Sequence, residues 1–143
     1  MLLCTVAQIM TRRPIGVEAG TSIVSTAKTM RDAGIGSLFV KKGGQWAGII
    51  TETDIVRRAV ANNRNLVEQT VDMIMTTPIS TIEGNCMVHE ARDLMSKLGV
   101  RHLAVTLAGE IVGVISVRDL LSFYERYALS KERELSEPKI TKD

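Results

Sequence analysis

Gly48-Ile49-Ile50-Thr51-Glu52-Thr53-Asp54 is followed 65 residues later by Gly113-Val114-Ile115-Ser116-Val117-Arg118-Asp119. Each stretch runs from a glycine through apolar residues to a small hydroxyl, with an aspartate three residues beyond it. An apolar strand that ends in Ser or Thr, with an acid three positions on, predicts a helix N-cap completed by a capping box. The same geometry suits a ligand. Backbone N–H groups at a helix start attract phosphate, and the hydroxyl adds a donor. The aspartate one turn in can accept hydrogen bonds from a diol, and the glycine permits close backbone approach.

Outward from this junction, the chain repeats itself at the same offset. Val6, Ile9, Met10 and Thr11 meet Val71, Ile74, Met75 and Thr76, and Met30, Gly34, Leu38 and Val40 meet Met95, Gly99, Leu103 and Val105. Between these blocks the offset slips to 64, pairing Pro14, Ile15 and Gly20 with Pro78, Ile79 and Gly84. A tandem duplication predicts two related units with a cleft between them that can be built twice.

Each copy reads as a short lead-in, a proline with an extended piece, a helix, two strands and a second helix. Ile23, Ala27 and Met30, and in the other copy Met87, Ala91, Leu94, Met95 and Leu98, fall at helical spacing on one face. Gly34 and Gly99 follow the last turn, where a left-handed residue is favoured. Ser37–Val40 with Trp46–Ile50, and His102–Thr106 with Ile111–Ile115, predict antiparallel hairpins. The second helix starts near Thr53 and Arg118 and carries Ile55, Val56 and Ala59, or Leu120, Leu121 and Tyr124. The expected fold class is α+β: two β-α-β-β-α repeats packed through their sheets with pseudo-two-fold symmetry. The expected boundaries are 5–62 for the first repeat, 63–70 for a polar linker, 71–128 for the second, and 129–143 for a charged tail.

Composition narrows the function. Of 143 residues, 45% are apolar and 24% charged, which describes a globular chain, and with 3% aromatics its core must be aliphatic. The net charge of +2 is too small for a phosphate-backbone footprint. Arg12, Arg13, Arg57, Arg58 and Arg64 also lack an aromatic stacking platform, so no nucleic-acid partner is expected. Cys4 and Cys86 read as small buried hydrophobes. The start has no basic n-region and no window reaches a membrane span, which predicts a cytoplasmic protein without a membrane partner. His89 and His102 are the only histidines, and no metal-ligand spacing or Walker-type loop is present. No catalytic constellation is visible, so an enzyme is not expected.

Gly34-Ile35-Gly36-Ser37-Leu38-Phe39-Val40 and Gly99-Val100-Arg101-His102-Leu103-Ala104-Val105, each followed by the strand–hydroxyl–aspartate junction, resemble a tandem cystathionine-β-synthase (CBS) domain pair, the Bateman module. Phe39 and Ala104 stand where that family often has proline. The resemblance implies two clefts that bind adenine nucleotides, AMP foremost, or related adenosyl compounds such as S-adenosylmethionine. It implies no other cofactor. Carried over, the main cleft uses Asp119 for the ribose and Ser116 for the phosphate side, with Val114 and Ile15 flanking the base and Ile35 and Gly36 opposite. Thr11, Arg12, Arg13, Arg101, His102 and Arg118 surround it. The second cleft uses Asp54, Thr51 and Ile49, with Ser37, and with Ile79, Val100 and Arg101 opposite.

The copies differ in charge. Arg101, His102 and Arg118 flank the second junction, where the first has Gly36, Ser37 and Thr53, so the Asp119 cleft is expected to be the more cationic and the better nucleotide site. Arg57 and Arg58 are expected to face solvent. The functional expectation is a regulatory or sensor module, a homodimer of four CBS units acting on an unknown partner protein. The alternative is a ligand-free dimeric scaffold in which the junctions serve only as caps.

Overall fold

The computed structural model describes residues 3–12 and 14–136; the first two residues, Arg13 and the last seven positions lie outside the described residues. The chain enters through one helical turn, α1 (Val6–Ile9), and a two-residue strand, β1 (Thr11–Arg12). Strand β2 (Gly16–Glu18), helix α2 (Ile23–Ala33) and the hairpin β3 (Ser37–Lys42) and β4 (Gln45–Thr51) follow. A short α3 (Glu52–Asp54) passes into a π-helix, Ile55–Val60. After the linker, a 3-10 turn (Val71–Met73) precedes β5 (Thr81–Glu83), α4 (Val88–Leu98), β6 (His102–Leu107), β7 (Glu110–Ser116) and α5 (Val117–Ser136). The β-α-β-β-α order stands in both copies.

The helices form for the reasons their spacing gives. Ile23, Thr26 and Met30 of α2 and Val88, Ala91 and Met95 of α4 are buried on one face each. Gly34 and Gly99 close them at φ 65° and 66°, the left-handed conformation that a Cβ would disfavour. Two positions depart from expectation. Met87 caps α4 instead of lying in it, and Leu98, on the last turn beside the glycine, is 47% exposed.

Two sheets result, one in the order β1-β7-β6-β5 and one β2-β3-β4. In each, the first strand runs parallel to its neighbour and the hairpin is antiparallel, with a register shift at the equivalent points Val40/Lys41 and Val105/Thr106. A layer of Phe39, Ile49 and Ala104, flanked by Trp46, Ile79, Ile111 and Val114, joins the two halves.

The lead-ins cross over. Val6 belongs to the core of the second repeat, with Val88, Leu103, Val105 and Ile115, while Val71 and Ile74 belong to the core of the first, with Ile23, Leu38 and Ile50. Val6 and Ala7 donate to the carbonyls of Cys86 and Gly84 at 2.8 and 2.9 Å, and Val71 donates to Thr21 at 2.9 Å. β1 pairs with β7, and Thr76 pairs with Ile49 in the same manner. Gly113 and Gly48 exist for this contact. A Cβ on Gly113 would stand 2.5 Å from the Thr11 carbonyl, and one on Gly48 2.9 Å from that of Thr76. Their close approach is thus to the protein's own lead-ins, not to a ligand.

The second helices differ between copies. α5 is regular over 20 residues and carries the segment from 129 to 136 without a break. The first-repeat helix widens to i→i−5 bonding, with the Ala61 amide donating to Val56. Ala59 and Leu120 point inward, but Val56 and Leu121, expected on the apolar face, are 59% and 66% exposed. They follow the inward residues Ile55 and Leu120 by one position, a turn of about 100° around the helix. Cys4 and Cys86 are half-buried at the rim of the second core instead of fully inside it, because they lie where the lead-in meets the start of α4. His89 is exposed on α4. Among the described residues, no helix is long and apolar enough to cross a membrane.

Candidate functional site

Both junctions are capping boxes. The Thr51 amide donates to Asp54 Oδ2 at 3.0 Å, and the Asp54 amide donates to Thr51 Oγ1 at 3.2 Å. In the second copy the Ser116 amide donates to Asp119 Oδ2 at 2.8 Å, and the Asp119 amide donates to Ser116 Oγ at 3.2 Å. Each hydroxyl also donates to its own aspartate at 3.0 Å, so neither hydroxyl proton is turned outward.

The carboxylates then diverge. Asp54 is 7% exposed and fully engaged: Thr76 Oγ1 donates to both its oxygens at 3.1 and 3.3 Å, and Arg58 Nε lies 3.6 Å from Oδ1. Arg58 further donates to the carbonyls of Ile74 and Met75 at 3.3 and 3.2 Å, which ties the second lead-in to the first junction. Its side chain is 51% exposed, so it faces solvent as expected while making these bonds. At the Asp119 junction the position of Arg58 is held by Phe123, which packs on the core. Asp119 is half-buried, and its Oδ1 has no hydrogen-bond partner among the described residues.

The two junctions open into one continuous cleft of about 980 Å³, not two separate ones. The second repeat lines it with Val100, Arg101, His102, Val114, Ser116, Arg118 and Asp119. The first repeat contributes Ile35, Gly36, Ser37, Ile49, Thr51 and Asp54, and the first lead-in adds Thr11 and Ile15. The clefts merge because the pseudo-two-fold relation sets the junctions side by side across a thin apolar layer. Two expected residues lie elsewhere. Arg12 is exposed on β1 opposite Gly113, and Ile79 is drawn into the apolar layer between the sheets. Arg13 falls outside the described residues.

Several cleft residues carried no assignment from the sequence: Glu52, Thr53, Thr76 and Ser80; Arg57, expected to face solvent, is exposed and also lines the cleft. Thr76 had a signal, its identity with Thr11 across the repeat. The cationic character expected at the Asp119 end rests on Arg101 and Arg118. His102 adds none at neutral pH, because burial pushes its imidazole below the usual 6.5. Arg101 adds to that lowering, and Asp119 and Glu52 oppose it.

The CBS domain family model matches the chain twice, over residues 6–61 and 71–126. The chain belongs to the CBS-domain family. As a tandem CBS pair it resembles an uncharacterised 17.7 kDa protein of Acidianus ambivalens, 35% identical over 117 residues that span 80% of this chain and 70% of that one. A putative signal-transduction protein with CBS domains from Burkholderia ambifaria superposes with a TM-score of 0.81 at 30% identity, covering 96% of this chain and all of the other. The CBS pair of protein MJ0100, solved in complex with 5-methylthioadenosine and S-adenosyl-L-methionine, superposes at 0.79 with 26% identity, covering 88% and 99% of the two chains.

Proposed function

We propose that this CBS pair is a cytoplasmic, non-catalytic regulatory module that binds an adenosine-based ligand, AMP foremost, in the cleft between its repeats. One observation carries the reading: Asp119 holds the cap with Oδ2 and leaves Oδ1 open toward the cleft. A half-buried carboxylate oxygen without a partner suits a ribose hydroxyl pair, and the N-terminus of α5 with Arg101 and Arg118 suits a phosphate beside it. Val114, Ile15 and Ile35 offer apolar walls to a purine. A cleft of about 980 Å³ is large enough for a nucleotide. The two adenosyl compounds held by the MJ0100 pair support the same chemical class, S-adenosylmethionine included.

A ligand here touches both repeats, so it favours one relative arrangement of them, which a partner protein can read. A second copy would pack on the exposed apolar residues of the second helices, Val56 among them, to give four CBS units; Leu121, exposed at the equivalent position, also lines the cleft. The complete capping boxes favour a second reading, a dimeric scaffold without ligand. Calorimetry with AMP, ADP, ATP and S-adenosylmethionine separates the two. The sensor reading expects saturable heat with at least one of them and its loss in Asp119→Ala. Absence of heat with all four leaves the scaffold.

A further inference from the structure

His102 opens β6 directly opposite Ser116 on β7, so the imidazole and the hydroxyl that caps α5 share one face of the sheet. Both line the cleft. The imidazole is half-buried and makes no hydrogen bond among the described residues. No side-chain nitrogen or oxygen among them is both shut away from solvent and unpaired, so the ring nitrogens are reachable from the cleft. Three charged groups act on the ring: Arg101 on its own strand, Asp119 on α5, and Glu52 at the start of α3 in the other repeat. The strand neighbours on either side bring no charge, being Ser116 on β7 and Ser80, whose carbonyl accepts from the Ala104 amide. Asp54, Arg57 and Arg118 also line the cleft. Burial and Arg101 hold the empty imidazole neutral at pH 7, and the two carboxylates do not overcome them.

We infer that His102 makes ligand binding proton-linked: a phosphate seated at the head of α5 is taken up together with a proton on the His102 imidazole, so acidification tightens the complex. The inference rests on the adenosine-ligand reading and deepens it by naming what tunes the site. A phosphate dianion beside the ring supplies an acceptor for its N–H and a charge that favours imidazolium, which moves the imidazole pKa upward. The proton comes from solvent. Between the pKa of the empty site and that of the occupied one, binding takes up a fraction of a proton. Affinity then rises as pH falls, by about tenfold at most for each pH unit separating the two values. The ligand's own ionisation, near pH 6, has the opposite sign, because acidification discharges the phosphate.

The test is calorimetric titration of the full chain with AMP at pH 7 in buffers of different ionisation enthalpy, which reads the protons exchanged per ligand bound. Wild type is compared with His102→Asn. The expected result is net proton uptake in wild type and none in the variant. Because AMP by itself would release protons, net uptake by wild type supports the inference even where the variant binds too weakly to titrate. Wild type should also gain several-fold in AMP affinity over the variant between pH 8 and pH 6.5. AMP binding to wild type without proton uptake overturns the inference, as does equal uptake by both proteins, which would put the proton elsewhere; either leaves the adenosine reading standing. No AMP binding by wild type overturns the inference, and no heat with ADP, ATP or S-adenosylmethionine either overturns the adenosine reading with it.

Discussion

Thr76 Oγ1 donates to both carboxylate oxygens of Asp54, whereas Thr11, its equivalent in the other repeat, makes no such bond to Asp119 among the described residues. The pseudo-two-fold axis thus relates the backbones of the two junctions but not their polar chemistry. Thr76→Val should leave a buried carboxylate short of a donor and cost about 1–2 kcal/mol. Thr11→Val should fall within about 0.5 kcal/mol of wild type. Thermal unfolding of both variants checks the pair, and equal losses would show that the asymmetry is unimportant.

The capping role of the second junction separates from its ligand role by substitution. Ser116→Ala removes the acceptor for the Asp119 amide at the head of α5 and should cost about 1 kcal/mol. It should not abolish AMP uptake, because Asp119 Oδ1 is untouched. Denaturant melts alongside calorimetry measure both quantities. A Ser116→Ala protein of normal stability would remove the cap from the account.

His102 gives the protein an acid-sensitive term. Its folded-state pKa lies below the usual 6.5, so the unfolded chain binds more protons wherever the pH lies between the two values. Stability from this residue is therefore intact above the usual value and declines as pH falls below it, until the folded-state pKa is passed. Urea unfolding at pH 7.5 and 5.5 should show a loss in wild type that is smaller in His102→Asn. An equal loss in both assigns the acid limb to the carboxylates.

Gly113 admits the lead-in only because it has no side chain. With the Thr11 carbonyl 2.5 Å and Met10 Sδ 2.8 Å from the position of a Cβ, Gly113→Ala must displace backbone. A cost of about 1–3 kcal/mol or more is expected. Gly20, with nothing within 4 Å of its Cβ position, is the control, and Gly20→Ala should be near neutral. Melting temperatures of the two alanine variants test the contrast.

The exposed Val56 should decide assembly. Val56→Glu places a charge on an exposed apolar position outside the cleft and should shift sedimentation at micromolar concentration from dimer to monomer without unfolding the chain. A wild type that sediments as a monomer contradicts the assembly directly.

What the sequence revealed was local or periodic. The left-handed ends at Gly34 and Gly99, the two hairpins and the strand–hydroxyl–aspartate caps depend on residues a few positions apart, and each is where its spacing predicted. The apolar pattern alone did not show the exchange of the lead-ins, because Val6 looks equally apolar in either core; only the family resemblance, which set Thr11 and Ile15 at the Asp119 cleft, pointed to it. The π-helix at 55–60 was hidden for another reason: its residues have ordinary helical spacing, and Arg58 bonding to Ile74 and Met75 is a tertiary event. The charge balance of the cleft was misjudged at His102, whose neutrality comes from burial rather than from neighbours in sequence.

The crossed lead-ins impose an order on synthesis. Val6 emerges first from the ribosome, yet its amide partner is Cys86 and its core partner Ile115. Until β7 has been made, the N-terminal segment has no place to settle. The first repeat, in turn, waits for Val71 and Ile74 to fill its core. Neither half completes its core from its own repeat alone, and closure over such long separations is slow. A ribosome stalled within β6 should therefore carry a nascent chain whose first ten residues are still open to protease.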